Sequence, residues 1–192
     1  MAVTTERIWI TYLRQGHKLA FCGVYMRTNS SRDSDFFKDN ELLLHTLTKE
    51  KDALEIDGYE VCFMGDFNAR ITPGPRFCFN SYPHKKNNNG DLLNAFADQN
   101  DLHCLNPMSW NGITEEKPTY QRYMGTSTHV SLIDYFLAST SFCASVFEAK
   151  VTDEPSLSVN SDHSTLCLSY FSHRGTDSMT TGRHNPLRAI TH

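Results

Sequence analysis

Alternation opens the chain. Ile8, Ile10 and Tyr12 fall on one side of an extended segment and Arg7, Trp9 and Thr11 on the other, the two-residue period of a strand. The polar stretch Arg14-Gln15-Gly16-His17 leads into a second apolar run from Leu19 to Met26, and the two predict a β-hairpin. After a loop, Thr28-Asn29-Ser30-Ser31, apolar residues recur near one helical face at Phe36, Leu43, Leu44, Leu47 and Leu54. They predict a helix over 35–54, capped by Asp33 or Ser34 and ended by Asp57-Gly58. Val61-Cys62-Phe63-Met64 is a short continuous apolar run of the kind that forms a strand buried on both faces.

Residues 70–89 are rich in Pro, Asn, Lys and Arg and read as a long exposed loop. A second helix is expected over 92–99 with Asp91 as its cap. A short strand fits 102–105, an irregular stretch 106–118, and three further strands 119–122, 132–138 and 166–171. From Ser172 onward the sequence is polar and without periodicity, so 173–192 is expected to be a disordered tail behind one domain spanning 1–172. Strands interspersed with helices predict α/β layers with a mixed sheet.

Composition narrows the class. At 192 residues and 39% apolar, the chain can fill the core of one domain. No apolar run approaches the roughly 20 residues of a membrane helix. The start, MAVTTERIW, lacks the basic and apolar regions of a secretory signal, so a nuclear or cytoplasmic location is expected. The formal net charge of −4 weighs against a non-specific nucleic-acid coat, but not against an enzyme that touches one phosphodiester and binds metal through carboxylates. Six cysteines without a C-x-x-C pair, several inside apolar runs, read as buried thiols.

Three short segments carry candidate chemistry, each next to an apolar strand. In Met64-Gly65-Asp66-Phe67-Asn68-Ala69, strand periodicity projects Asp66 and Asn68 the same way, where they could hold a water or an ion against a phosphate oxygen. The same pair reads equally as a turn in which Asp and Asn cap backbone groups. In Ser131-Leu132-Ile133-Asp134-Tyr135-Phe136, Asp134 interrupts an apolar strand. It reads either as a structural ion pair or as the orienter of a catalytic His. The third segment is Asn160-Ser161-Asp162-His163-Ser164. No local motif joins them; only a fold that gathers strand ends could.

In that order, GDFNAR, SLIDY and SDH resemble the endonuclease/exonuclease/phosphatase superfamily of metal-dependent phosphodiesterases. Further segments resemble the endonuclease domain of LINE-type non-LTR retrotransposons: Gly23-Val24-Tyr25 with Asn29-Ser30-Ser31, Asn88-Asn89-Gly90-Asp91-Leu92-Leu93, Leu105-Asn106-Pro107, and Pro118-Thr119-Tyr120-Gln121. The resemblance covers about 9–170. It implies a four-layer α/β/β/α sandwich of the DNase I-like type, here missing its N-terminal strands. It implies Mg²⁺ (or Mn²⁺) as cofactor and DNA as substrate. Asp66 matches the residue that positions or deprotonates the attacking water, and Asn68 the one that bonds the scissile phosphate or that water. His163 would stabilise a non-bridging oxygen, with Asp134 as its orienter, Tyr25 on the phosphate, and Asp162 with Asp66 beside the metal. Asn29, Arg70, Lys85 and Lys86, with Arg76, could contact a nucleic-acid backbone, though a solvated basic loop explains those cations equally.

Two departures qualify the match. Family members begin with an Asn-bearing strand and a strand ending in the principal metal-ligand Glu, and nothing in 1–19 fits either. Where the retroelement pattern has prolines after the tyrosine, this chain has Met26-Arg27-Thr28. The expectation is a marginally stable chain with little or no Mg²⁺-dependent nuclease activity of its own. The alternatives are a non-catalytic remnant that binds nucleic acid or a partner, and a phosphatase or lipid phosphodiesterase of the same superfamily.

Overall fold

The computed structural model describes residues 6–14, 16–28, 35–71, 76–77, 86–106, 108–109, 112–113, 117–152, 161–170 and 187–188. The alternating start forms β1 (Glu6–Arg14) and β2 (His17–Tyr25), an antiparallel hairpin with Gly16 at φ +85° in its turn. A crossover through α1 (Phe36–Ile56) returns the chain as β3 (Glu60–Asp66), parallel to β2. There follow α2 (Asn88–Gln99), β4 (Leu102–Cys104), β5 (Met108–Ser109), β6 (Gly112–Ile113), the hairpin β7 (Tyr120–Tyr123) and β8 (Thr128–Ser131), then β9 (Asp134–Ser139). The single turn α3 (Thr140–Cys143), β10 (Val146–Thr152), β11 (Thr165–Tyr170) and β12 (Leu187–Arg188) complete the described elements.

Two five-stranded sheets result: a mixed one in the order β1-β2-β3-β9-β4, and one in the order β12-β11-β10-β5-β6. α1 buries Phe36, Asn40, Leu43, Leu44, Leu47 and Lys51, a stripe at helical spacing, and with α2 it covers one face of the mixed sheet. The other face, through Leu19, Phe21, Cys62 and Phe136, meets Ala149, Leu166 and Leu168 of the second sheet. The molecule is therefore α/β with a mixed central sheet, and three layers, α/β/β, are laid down by the described elements.

Several expectations need correction. α2 begins at Asn88, not Leu92, and its cap is Asn87, whose side chain accepts from the Gly90 N–H. The ends of the supposed exposed loop are tied in: Ile71 and Phe77 belong to the core and Asn89 is buried. The stretch 106–118 contains the short pair β5–β6, and β8 and β10 were not foreseen. Asp33 and Ser34 lie outside the described residues, while Asp35 stands at the α1 cap position with its carboxylate 3.8 Å from the Lys38 ammonium instead of capping the helix. In the polar tail, Leu187–Arg188 pairs with β11; the rest of 171–192 is outside the described residues. Cys22, Cys62 and Cys104 are buried thiols outside any disulfide, and Cys78 lies outside the described residues. Among the described residues no helix is long and apolar enough to cross a membrane.

Candidate active site

Register explains why distant residues meet. The mixed sheet pairs Tyr25 with Asp66 across β2 and β3, and Asp66 with Asp134 across β3 and β9, so three strand ends share one rim. β3 can stop there because Gly65, at φ +138°, lies so close to β2 that a Cβ would sit 2.1 Å from the Val24 carbonyl oxygen. Only glycine fits.

Past Asp66 the backbone turns, and the strand-period argument for Asn68 does not apply. Asn68 takes the left-handed conformation, φ +46°, and folds back onto its neighbour. Its N–H donates to Asp66 Oδ1 (2.8 Å), while its amide donates to Asp66 Oδ2 (3.1 Å) and to the Met26 carbonyl (2.8 Å). The side chains are near each other because of this turn, in which the capping and the functional reading coexist. Desolvation, helped by the charge of Asp134, pushes the Asp66 carboxyl up to about 7 against the hydrogen bonds from Asn68.

Asp134 has no solvent exposure. Its N–H and that of Ile133 both donate to the Thr119 hydroxyl (3.0 Å each), and its carbonyl accepts from the Asn106 amide (2.9 Å). The carboxylate faces His163, whose Nδ1 lies 3.0 and 3.1 Å from its two oxygens. That hydrogen bond raises the His163 pKa above the ordinary histidine value, with the charges of Asp134, Asp66 and Asp162 adding to it. With Nδ1 committed, Nε2 is the free nitrogen, and it lies 4.0 Å from Asp66 Oδ2. A water placed between them can accept from the Nε2–H and donate to the Asp66 carboxylate. His163 is further held by an isolated bridge to Tyr120, whose ring stands edge-on at 5.1 Å, and by the Ser161 hydroxyl on its N–H. The β7–β8 hairpin that begins at Tyr120 leaves Tyr123 and Met124 exposed.

Asp66, Asp134 and His163 each offer a ligand atom within 4.8 Å of the others. Their bonding decides what ion suits them. Asp134 is buried and engaged by the imidazole, so Asp66 is the one partly exposed carboxylate of the three. The set fits a hydrated hard cation tethered through Asp66, as Mg²⁺ commonly binds, and does not fit a closed cage of protein ligands.

The structure thus brings together Asp66, Asn68, Asp134 and His163, with Tyr25 exposed on the same rim. Asp162 is exposed, outside that three-residue group, with its carbonyl accepting from the Gln121 N–H. Arg70 is half-buried with its backbone bonded to Asn87, Lys86 is paired with Asp91 at 3.0 Å, and Arg76 is paired with Asp101. Asn29 and Lys85 lie outside the described residues.

Sequence reasoning missed the buried amides that fix this arrangement. The Asn89 amide donates to the carbonyls of Arg27, Phe67 and Asn68 at 3.0–3.3 Å, and its oxygen accepts from Asn40. Asn40 in turn clasps the Arg27 backbone on both sides. Gly90 permits this approach, since a Cβ there would meet the Arg70 carbonyl oxygen at 2.0 Å. The signal was an Asn-Asn-Gly run opening a helix, and an Asn and a Thr flanked by apolar residues at Asn106 and Thr119.

In sequence, neither a family profile nor a curated protein matches the chain. In structure, it is similar to the endonuclease domain of TRAS1, a telomere-specific non-LTR retrotransposon, with a TM-score of 0.56 at 13% identity over 88% of this chain. It is similar to the 3′ phosphatase NExo from Neisseria bound to a product DNA hairpin, with a TM-score of 0.58 at 21% identity over 85%. It is similar also to the APE2 catalytic domain of Xenopus laevis, with a TM-score of 0.61 at 14% identity over 97%. The chain spans 64%, 65% and 57% of those three chains' own lengths.

Proposed function

We propose that this chain, which has the fold of the endonuclease/exonuclease/phosphatase superfamily, carries a phosphodiesterase-type site that grips a DNA backbone phosphate and aligns a water for in-line attack on phosphorus. One observation carries the proposal: His163 is bonded through Nδ1 to buried Asp134, which leaves Nε2 4.0 Å from Asp66. DNA is favoured as substrate by three similar structures, a retrotransposon endonuclease, a phosphatase holding a DNA hairpin and an AP endonuclease from Archaeoglobus fulgidus.

In this reading Asp66 positions the water and takes its proton, and Asn68 locks the Asp66 carboxylate while its amide oxygen stays available to the water. His163, kept protonated by Asp134, meets the charge that builds on a non-bridging oxygen. Tyr25 contacts the phosphate from the neighbouring strand end. Mg²⁺ or Mn²⁺, held through Asp66 with Asp162 close by, would supply further charge neutralisation at the phosphate and the leaving 3′ oxygen.

A second reading, a binding module with little turnover, is favoured by the ligand set. Within the group Asp66, Asp134 and His163, Asp66 is the one carboxylate with solvent exposure, since Asp134 is buried against the imidazole. Plasmid nicking with Mg²⁺ separates the two. The 192-residue chain on its own is expected to nick slowly or not at all, with any nicking reduced about 10²–10³-fold in His163→Ala. Robust nicking lost in His163→Ala would remove the binding-module reading. Robust nicking that survives His163→Ala would remove the site assignment. Cleavage of a lipid headgroup or of poly(A) instead of DNA would move the substrate class.

A further inference from the structure

On the β4 side, side chains rather than backbone hold the end of β9 that carries Asp134. β4 pairs with β9 as Leu102 opposite Ser139, His103 opposite Ala138 and Cys104 opposite Leu137. The Leu105 N–H still reaches the Phe136 carbonyl, at 2.9 Å. By Met108–Ser109 the chain has left for the second sheet, where Ser109 pairs with Glu148 of β10. Alternate residues of an antiparallel ladder exchange both backbone bonds, so this register, continued, matches position 107 with Asp134. Residue 107 is a proline, which has no N–H to give to the Asp134 carbonyl. The ladder is filled another way. The Asn106 amide donates to that carbonyl at 2.9 Å, and its oxygen accepts from the Phe136 N–H at 2.8 Å. The Thr119 hydroxyl accepts from the Asp134 N–H at 3.0 Å. A side-chain amide carries the same donor and acceptor as a peptide group, so buried Asn106 replaces one.

We propose that Asn106 is a positioning residue for the His163–Asp134 pair: as a substitute peptide it keeps β9 extended to its first residue and so sets the reach of the Asp134 carboxylate. It acts through Asp134 and does not touch the phosphate. β9 begins at Asp134, and without this clasp the ladder from β4 ends at Phe136, two positions short of the carboxylate. Toward β3, Asp134 is opposite Asp66, and the bond beside that pair belongs to their neighbours, from the Phe67 N–H to the Ile133 carbonyl at 3.0 Å. The contacts of 3.0 and 3.1 Å between the Asp134 oxygens and His163 Nδ1 depend on where β9 holds its first residue. A hydrogen bond weakens steeply once its alignment is lost. The consequence for function rests on the phosphodiesterase reading, in which Asp134 fixes the ring that meets the phosphate.

Nitrogen-resolved NMR of the whole 192-residue chain in EDTA tests this, at a pH where the His163 ring is neutral. In the wild type the ring proton is expected on Nδ1, toward Asp134. Asn106→Leu, similar in volume, should move the tautomer ratio about fivefold toward Nε2–H, the equivalent of one lost hydrogen bond, with far-UV circular dichroism unchanged. In an Asp134→Asn background the same substitution should add no further shift, because its route is gone. Leu47→Ala, which weakens the core under α1 away from the pair, should leave the ratio unaltered. Should Asn106→Leu fail to fold, hydrogen exchange in the wild type decides: the Asn106 amide protons should exchange about 100-fold more slowly than those of a solvated asparagine. An unchanged ratio in Asn106→Leu, an equal shift in Leu47→Ala, or an unprotected Asn106 amide would each overturn the proposal. None of these readouts uses DNA, so a chain that binds none would remove the phosphodiesterase reading and leave the positioning role standing.

Discussion

At the scale of the residue, the site is a set of titratable groups that hold one another away from their ordinary values. Burial raises the Asp66 carboxyl to about 7. A raised carboxyl stabilises the protonated folded form. Stability therefore falls as pH rises from the unfolded value near 3.8 to about 7, and the cost is fully present above that. Asp66→Asn removes it. In EDTA, the variant should melt higher than the wild type at pH 8 and show much less gain at pH 4.5, at roughly 2–4 °C for each kcal/mol. His163 runs the other way in origin and the same way in pH. Its pKa is raised by Asp134, so its stabilisation is complete below about 6.5 and is lost as pH climbs through the folded value. Asp134→Asn should bring the His163 titration midpoint down, read from its ring proton shifts; an unchanged midpoint would deny Asp134 its orienting role.

Elements position these residues through contacts that hydrophobic periodicity does not report. The hairpin and the β2–α1–β3 crossover were legible, because apolar alternation and a helical stripe mark them directly, whereas the segments carrying Asp66, Asp134 and His163 stood out only beside apolar strands and were joined by the family resemblance. The start of α2 was not. Its first turn buries Asn89 and Gly90, polar or featureless by composition, because three loop carbonyls need a donor there. β8 was hidden for the opposite reason: Thr128 and His129 are exposed on a projecting hairpin and carry no apolar signal. Likewise, strand alternation predicted the Asp66–Asn68 pairing, but a left-handed turn produces it. Asn89→Ala should cost about 2–3 kcal/mol in urea unfolding, since it strands buried carbonyls, and Asn89→Asp should be no milder because it turns a donor into an acceptor. Gly65→Ala should cost about 2 kcal/mol or more, from the clash with the Val24 carbonyl added to the positive φ.

For the whole molecule, two sheets and a pair of helices exist to bring residues separated by 68 and 29 positions, 66 to 134 and 134 to 163, to one rim. The arrangement leaves apolar surface outside the core at Ile8 and Ile10, so the chain should unfold in urea with less than about 5 kcal/mol of stability. A value near 10 kcal/mol would show that this surface costs the fold nothing. The central claim is narrower: that Asp66, Asp134 and His163 surround a single phosphate. It is met most directly by nitrogen-resolved NMR of the nine histidines during titration with a short DNA duplex. The prediction is a saturable shift at His163 Nε2 with Nδ1 remaining protonated toward Asp134. Duplex binding that shifts other histidines and leaves the His163 ring untouched would contradict it.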